Sequence, residues 1–216
     1  RVWNLAEHNL WWDEGIGVWL ARMPLLESIR WTAGDVHPPL YYIVLRGWRL
    51  VAGEGEFVQR FPSVLFSFLT IPLIYRLGRE LGGSRTGWLS ALFLTFSRFS
   101  IWWAQELRMY APAAMFATAT LWSAPRLWRG SQGRRTRDRF TWLLHVGATL
   151  AALYTLYLSV AVVVVTNLGF LIAWLQRIQR RRPYRALLIR WFTAQAVIAA
   201  LYIPWLAYAL PKMHGW

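Results

Sequence analysis

The placement of the arginines constrains this chain more than any other feature. Long uncharged apolar runs alternate with short arginine clusters at 76–85, 126–139 and 177–185. Several of the runs approach the roughly 20 residues that carry a helix across a bilayer. The expected fold class is therefore all-α, a polytopic transmembrane helix bundle. Of the 216 residues, 56% are hydrophobic and 16% charged, against about a quarter charged in a soluble domain. The 16 Trp residues suit belts at headgroup level, beside a share of ordinary core aromatics.

A net charge of +14 raises two partners, nucleic acid and an anionic membrane surface. The arginines form no stripe with interleaved aromatics, and nucleic acid gives no reason for so apolar a chain. They sit between apolar runs, as cytoplasmic loops do under the positive-inside rule. The reading is membrane lipids as partners and no nucleic acid. The absence of cysteine excludes a disulfide framework, a thiolate nucleophile and a Cys-ligated metal. The chain opens on Arg1 without a signal peptide and ends shortly after an apolar run, so it reads as a fragment of a longer protein.

Ile16, Trp19, Leu20 and Met23 recur at helical spacing over 13–23, with Asp13 as the N-cap. Residues 24–36 hold Pro24, Gly34 and Asp35 and read as loop. Pro38 and Pro39 open a helix over 40–51, since proline is tolerated in a first turn. Arg46 and Arg49 argue against a span there, so it is taken as an amphipathic helix on the membrane surface. Spans are expected at 57–75, 86–104 and 110–127. The run 140–174 would exceed about 50 Å as one helix, so it is split near 154–159. The last span covers 187–208. The expected organisation is a first external loop, 1–56, with juxtamembrane helices, and a six-helix transmembrane portion, 57–210.

Alternation then tests the parsing. If the first span runs toward the cytoplasm, all three basic clusters fall on the cytoplasmic side. Residues 1–56, the 105–110 turn and the 154–159 hinge share the opposite face. Reading 40–52 as a further span keeps the later alternation but moves Asp13 and Asp35 away from Glu106.

Three polar elements stand out because acidic side chains are costly near a bilayer. The pair Asp13-Glu14, framed by Trp11 and Trp12, reads either as a helix cap with a first-turn acid or as a carboxylate base, strengthened by partial burial. The run Asp35-Val36-His37-Pro38-Pro39 reads as a capping loop or as a phosphate cradle, with His37 as donor at a helix N-terminus. Glu106 and Arg108 form either a solvated ion-paired turn or a site in which Arg108 binds phosphate or sugar and Glu106 orients it or helps hold a cation. Arg98, inside an expected span, either snorkels or points into the cavity as a phosphate ligand. His145 reads as a polar residue inside the bundle, and His8 and His214 as solvated. No Gly-rich phosphate loop, zinc spacing or Ser-His-Asp arrangement is present.

Four ordered blocks carry a family likeness: Leu10 to Glu14; Asp35 to Tyr42; Gln59 to Ser63 continuing to Leu77-Gly78-Arg79; and Trp102 to Tyr110. In these the chain resembles bacterial members of the GT-C membrane glycosyltransferases, the group holding the dolichyl-phosphate-mannose protein mannosyltransferases and the lipid A aminoarabinose transferases. Residues 113–216 match mainly in hydropathy. The resemblance implies a multi-span GT-C-like fold with its active site in the first external loop. It also implies a polyprenyl-phosphate-linked sugar as donor. Asp13 matches the acidic position taken as catalytic, with Glu14 its companion. His37 falls where relatives place a phosphate contact, and Glu106 and Arg108 match the second external loop. Relatives often carry Pro and His where Arg98 and Ser100 stand, and His where Leu156 stands. The family's first membrane helix and everything beyond its seventh are missing, so the acceptor stays open.

The function expected is a glycosyltransferase of the plasma membrane. It moves sugar from a polyprenyl-phosphate donor to an acceptor (lipid, glycan or protein) on the non-cytoplasmic side, with inversion implied by the resemblance. The catalytic residues expected are Asp13 and Glu14, with donor contacts from Asp35, His37, Arg98, Glu106 and Arg108. No metal ligand set is read, and a divalent cation is compatible but not required. The rival reading, a transporter or channel, calls for ionisable residues near mid-span or broken helices at mid-depth. A non-catalytic scaffold does not require Asp13, Glu106 and Arg108 to meet.

Overall fold

A computed structural model describes residues 1–3, 5–7, 9–129, 135–181 and 183–213, with backbone only at 135–137. His8 and His214, expected to be solvated, lie outside the described residues. All regular structure among the described residues is helical.

Helix α1 spans Trp12–Arg22. Its cap is Trp11 rather than the expected Asp13. Asp13 and Glu14 sit inside the first turn, where the helix dipole favours negative charge, and Glu14 Oε2 accepts the Trp11 N–H at 3.4 Å. The stretch read as loop contains α2, Leu25–Thr32. Pro24 starts this helix rather than breaking it, and eight residues are too few to display a helical period in the sequence. Helix α3 spans Leu40–Ala52. Its length of about 20 Å falls short of the roughly 30 Å hydrocarbon core. Buried Tyr41, Tyr42 and Leu45 join Val18, Leu20, Leu107 and Met109 in one core.

Helix α4 spans Glu56–Phe96 but reverses at Gly83, whose φ of 85° lies in the region glycine enters without strain. The two arms, 56–82 and 84–96, pack back to back. A Cβ on Gly87 would lie 2.7 Å from the Tyr75 carbonyl, so this contact admits only glycine. The second arm stops at Ser97, short of the expected end at 104. Ser97 Oγ accepts the Ser100 N–H at 3.3 Å and starts a separate helix, α5, Arg98–Gln105. The carbonyls freed by the break are met by the Arg1 guanidinium, which donates to Leu94 O at 2.8 Å and Thr95 O at 3.0 Å.

Helices α6 (Tyr110–Arg129), α7 (Arg135–Thr155), α8 (Val160–Gln179) and α9 (Arg185–Ala209) follow. The expected division of the long run is present: Leu156 is extended, and a 3-10 turn at Tyr157–Ser159 joins α7 to α8. Ala124, Leu127, Val146, Leu153, Phe170 and Trp191 form the core of these four helices, with Trp191 stacked on Phe170 at 5.0 Å. His145 lies inside the bundle, as the sequence suggests, and its Nδ1 meets Ser123 Oγ at 3.0 Å. Buried Thr118, Thr120 and Thr149 donate to carbonyls one turn back in their own helices, so their hydroxyls need no water.

Among the described residues, three helical stretches are by length and composition apolar enough to cross a membrane: Glu56–Phe96, Tyr157–Gln179 and Arg185–Lys212. The three arginine clusters gather at one end of the bundle. Glu80 pairs with Arg126 at 3.1 Å and Arg129 at 2.7 Å, and Arg177 donates to the Trp128 carbonyl at 2.9 Å. The first loop and the 105–110 turn meet at the other end.

Candidate active site

The site is assembled where α1 meets the turn between α5 and α6. Glu14 is its anchor. The side chain is 1% exposed, and both oxygens are engaged. Arg60, from the start of α4, donates from Nε to Oε1 at 2.9 Å and from Nη2 to Oε2 at 2.6 Å. The Leu107 N–H donates to Oε1 at 2.8 Å. Arg60 also donates to the Leu5 carbonyl at 2.8 Å. A charge taken this far from water survives only with such complete pairing. One carboxylate thus ties α1, α4, the leading segment and the 105–110 turn together.

Asp13, one residue earlier, points the other way. Its carboxylate lies 3.1 Å from Arg108 Nη1 and remains 36% exposed, while Arg108 is 12% exposed. Arg108 lies over the faces of Trp11 and Tyr110, 5.9 and 5.6 Å from the ring centroids, an arrangement that favours a cation. Its backbone is fixed by Ser63 Oγ, which donates to the Arg108 carbonyl at 3.3 Å. Its Nε is buried without a partner, so the guanidinium keeps unused donor capacity.

Tyr42 marks where the second block joins. Burial, and then the nearby Asp35 carboxylate, push its phenol well above the usual range, with Asp13 adding and Arg108 opposing. Asp35 is held against His37, Oδ2 to Nδ1 at 3.3 Å. Asp13, Arg108 and Asp35 therefore act on one buried hydroxyl, and His37 stands behind Asp35.

Glu106 lies on the Glu14 side. It lines a cavity of about 330 Å³ with Asn9, Trp11, Trp102 and the Glu14–Arg60 pair. Its Oε2 is buried without a partner. Burial, then repulsion from Glu14, raises its carboxyl above the ordinary range. Arg98 is not brought to this site. It is exposed at the start of α5 because the break at Ser97 takes it out of the expected span. Among the described residues no three His, Asp or Glu side chains gather to hold a metal ion.

Sequence reasoning missed Arg60, Tyr42 and Tyr110. Arg60 left a readable signal: a lone arginine at the head of an apolar run needs a buried acid, and Glu14 was the one acid in excess of a simple cap. The two tyrosines left none, because their position depends on how α3 and the 105–110 turn come together.

A helical bundle that places a carboxylate and a largely buried guanidinium side by side at one end defines a membrane protein with a polar site on apolar scaffolding. Residues 36–208 match the family described as dolichyl-phosphate-mannose-protein mannosyltransferase, and the chain belongs to that family. The chain is also similar to the solved structure of ArnT from Cupriavidus metallidurans in the apo state, with a TM-score of 0.64 and 15% identity. That likeness covers 100% of this chain and 42% of the ArnT chain, and at this identity it is one of fold: GT-C-like and all-α. No curated protein matches the chain. The family match begins after Asp13, Glu14 and Asp35, so the place of these three rests on the geometry.

Proposed function

We propose that the chain carries the donor site of a GT-C glycosyltransferase that takes sugar from a polyprenyl phosphate. The observation that carries this reading is the Asp13–Arg108 contact at 3.1 Å, which joins a base on α1 and an anion-binding cation on the 105–110 turn, far apart in sequence, in a chain of this family. Arg108 receives the donor phosphate, using the donors that Asp13 and Tyr110 leave open. His37, in contact with Asp35, supports the same phosphate as a donor. Glu106 faces the sugar from the neighbouring cavity. Arg98 has no role in this reading.

Asp13 then acts as general base. It takes the proton of the acceptor hydroxyl or amine as the acceptor attacks the anomeric carbon. The bond from that carbon to the phosphate oxygen breaks, and the lipid phosphate leaves with its charge held by Arg108. Configuration inverts, because attack and departure lie on opposite faces. In the free site the Asp13 carboxylate is ion-paired with Arg108. A phosphate arriving at Arg108 competes for that guanidinium and releases Asp13, so donor binding comes first. Glu14 is a positioning residue in this account, because all its acceptor capacity is spent on Arg60 and the backbone. α3 lies along the membrane surface, the arginine clusters face the cytoplasm, and the site opens on the non-cytoplasmic side of the plasma membrane.

The test uses the full-length protein in liposomes with a panel of polyprenyl-phosphate sugars. Consumption of one donor, lost in Asp13→Asn and in Arg108→Gln, is the expected result. Turnover in Asp13→Asn equal to wild type would remove the base from the scheme. Labelling of external acceptor with the basic loops exposed on the same side would reverse the assigned sidedness.

A further inference from the structure

The arginine end of the bundle holds a groove that the transfer reaction does not use. It lies between α7 and α9, has a volume of about 340 Å³, and is lined by Leu127, Asp138, Arg139, Trp142, Leu143 and Arg190. Its make-up is divided. Leu127, Leu143 and the Trp142 ring form an apolar floor, and the outer helix faces beside it expose Phe140, Ile189 and Phe192. Such a surface faces acyl chains rather than water.

The rim is cationic. Arg139 is exposed at the start of α7. Arg190 reaches across from α9 and donates from Nη2 to Asp138 Oδ2 at 2.9 Å, with both side chains partly open. Asp138 fixes one edge of the Arg190 fork and leaves other N–H groups of that planar guanidinium for a second acceptor. Trp142 donates from Nε1 to Thr193 Oγ1 at 3.3 Å, which pins the indole between α7 and α9 at the level where polar rim meets apolar floor. That is the usual depth of an interfacial indole. Beyond the rim stand the further arginines of the same end, Arg126, Arg129, Arg177 and Arg185, of which Arg126 and Arg129 pair with Glu80.

We infer that this groove binds one anionic glycerophospholipid of the leaflet that the arginine clusters face. Its phosphate sits between Arg139 and the open edge of Arg190, and an acyl chain lies on Leu143 and Trp142. The occupant follows from complementarity: a single anion on an apolar stem fits a cationic rim over an apolar floor, and basic pockets between helices at a membrane face bind such headgroups. The lipid would clamp the first turns of α7 to the first turns of α9. This inference is independent of the transfer reaction and of which face of the membrane the arginines occupy.

The test is native mass spectrometry of the full-length protein released from mixed phosphatidylglycerol–phosphatidylcholine nanodiscs. One phosphatidylglycerol is expected to remain bound in preference to phosphatidylcholine. Arg139→Gln should reduce that retention about fivefold, the effect of one guanidinium near an anionic surface. Leu143→Trp, which fills the floor and keeps every charge, should reduce it too. Arg85→Gln, at an exposed arginine that does not line the groove, should leave it unchanged. Equal loss in Arg85→Gln and Arg139→Gln would mean diffuse attraction and overturn the site. No preference for phosphatidylglycerol in the full-length protein would mean that another part of the chain covers the groove, and would overturn it as well.

Discussion

The Asp13 carboxylate lies 3.1 Å from the Arg108 guanidinium, and the same turn that delivers Arg108 is fixed to the neighbouring Glu14 through the Leu107 N–H at 2.8 Å. Two consecutive acids thus divide the work. One is buried and holds the turn in place; the other stays open beside the cation. Asp13→Asn is expected to lower transfer by at least about 100-fold, the usual scale for loss of a general base. Stability should move by no more than about 1 kcal/mol, because the pair is partly solvated. Initial rates with a polyprenyl-phosphate sugar, set beside thermal unfolding in detergent, check both halves.

The Glu14–Arg60 pair behaves in the opposite way. Arg60→Met leaves a buried carboxylate without its partner and is expected to cost about 3–5 kcal/mol. The double variant Glu14→Leu/Arg60→Met removes the stranded charge and should recover much of that loss. It should not recover all, because the orphaned Leu107 N–H costs about 1–3 kcal/mol. Activity should follow stability through this series. A Glu14→Gln protein that folds like wild type yet is inactive would return Glu14 to the chemistry.

Glu106 supplies a pH signature. Burial, and then Glu14, raise its carboxyl above the ordinary value of 4.5, so the folded state holds this proton more tightly than the unfolded chain does. Its contribution to stability is full below about 4.5 and is lost as pH climbs through the raised value. Glu106→Gln keeps the neutral shape and should be the more stable protein above that window. The advantage should shrink as pH falls toward 4.5. Melting temperatures of both proteins across pH 4 to 8 read the crossover.

Two glycines give opposite outcomes. Gly87→Ala forces a methyl to 2.7 Å from the Tyr75 carbonyl and should destabilise the α4 hairpin by about 1–3 kcal/mol. Gly147, in α7, has nothing within 4 Å of an added Cβ. Gly147→Ala should therefore stabilise by about 0.5–1 kcal/mol. Unfolding midpoints of the two variants in detergent should move to opposite sides of wild type.

Much of this molecule was legible in the sequence, for reasons that can be named. The period of apolar residues and the reach of a helix are local, so α6, the α7–α8 division near Tyr154–Ser159 and α9 were read close to their observed ends. The arginine clusters fixed which loops share an end, because charge and hydrocarbon separate wherever the chain lies. That same alternation placed Asp13 with Arg108. The short elements were not legible. α2 is too short to show a period, and the break at Ser97, which removes Arg98 from the site, depends on carbonyls met by Arg1 from the far end of the chain.

The sequence by itself determined the class of fold, its family and that the Asp13 and Arg108 blocks share one end of the bundle, since hydropathy, helix length and charge act over a few neighbouring residues. Only the tertiary structure decided that Glu14 is spent on Arg60 while Asp13 stays open beside Arg108. Adjacent residues on a helix point about 100° apart, and which of two like acids is buried depends on where a distant arginine is packed.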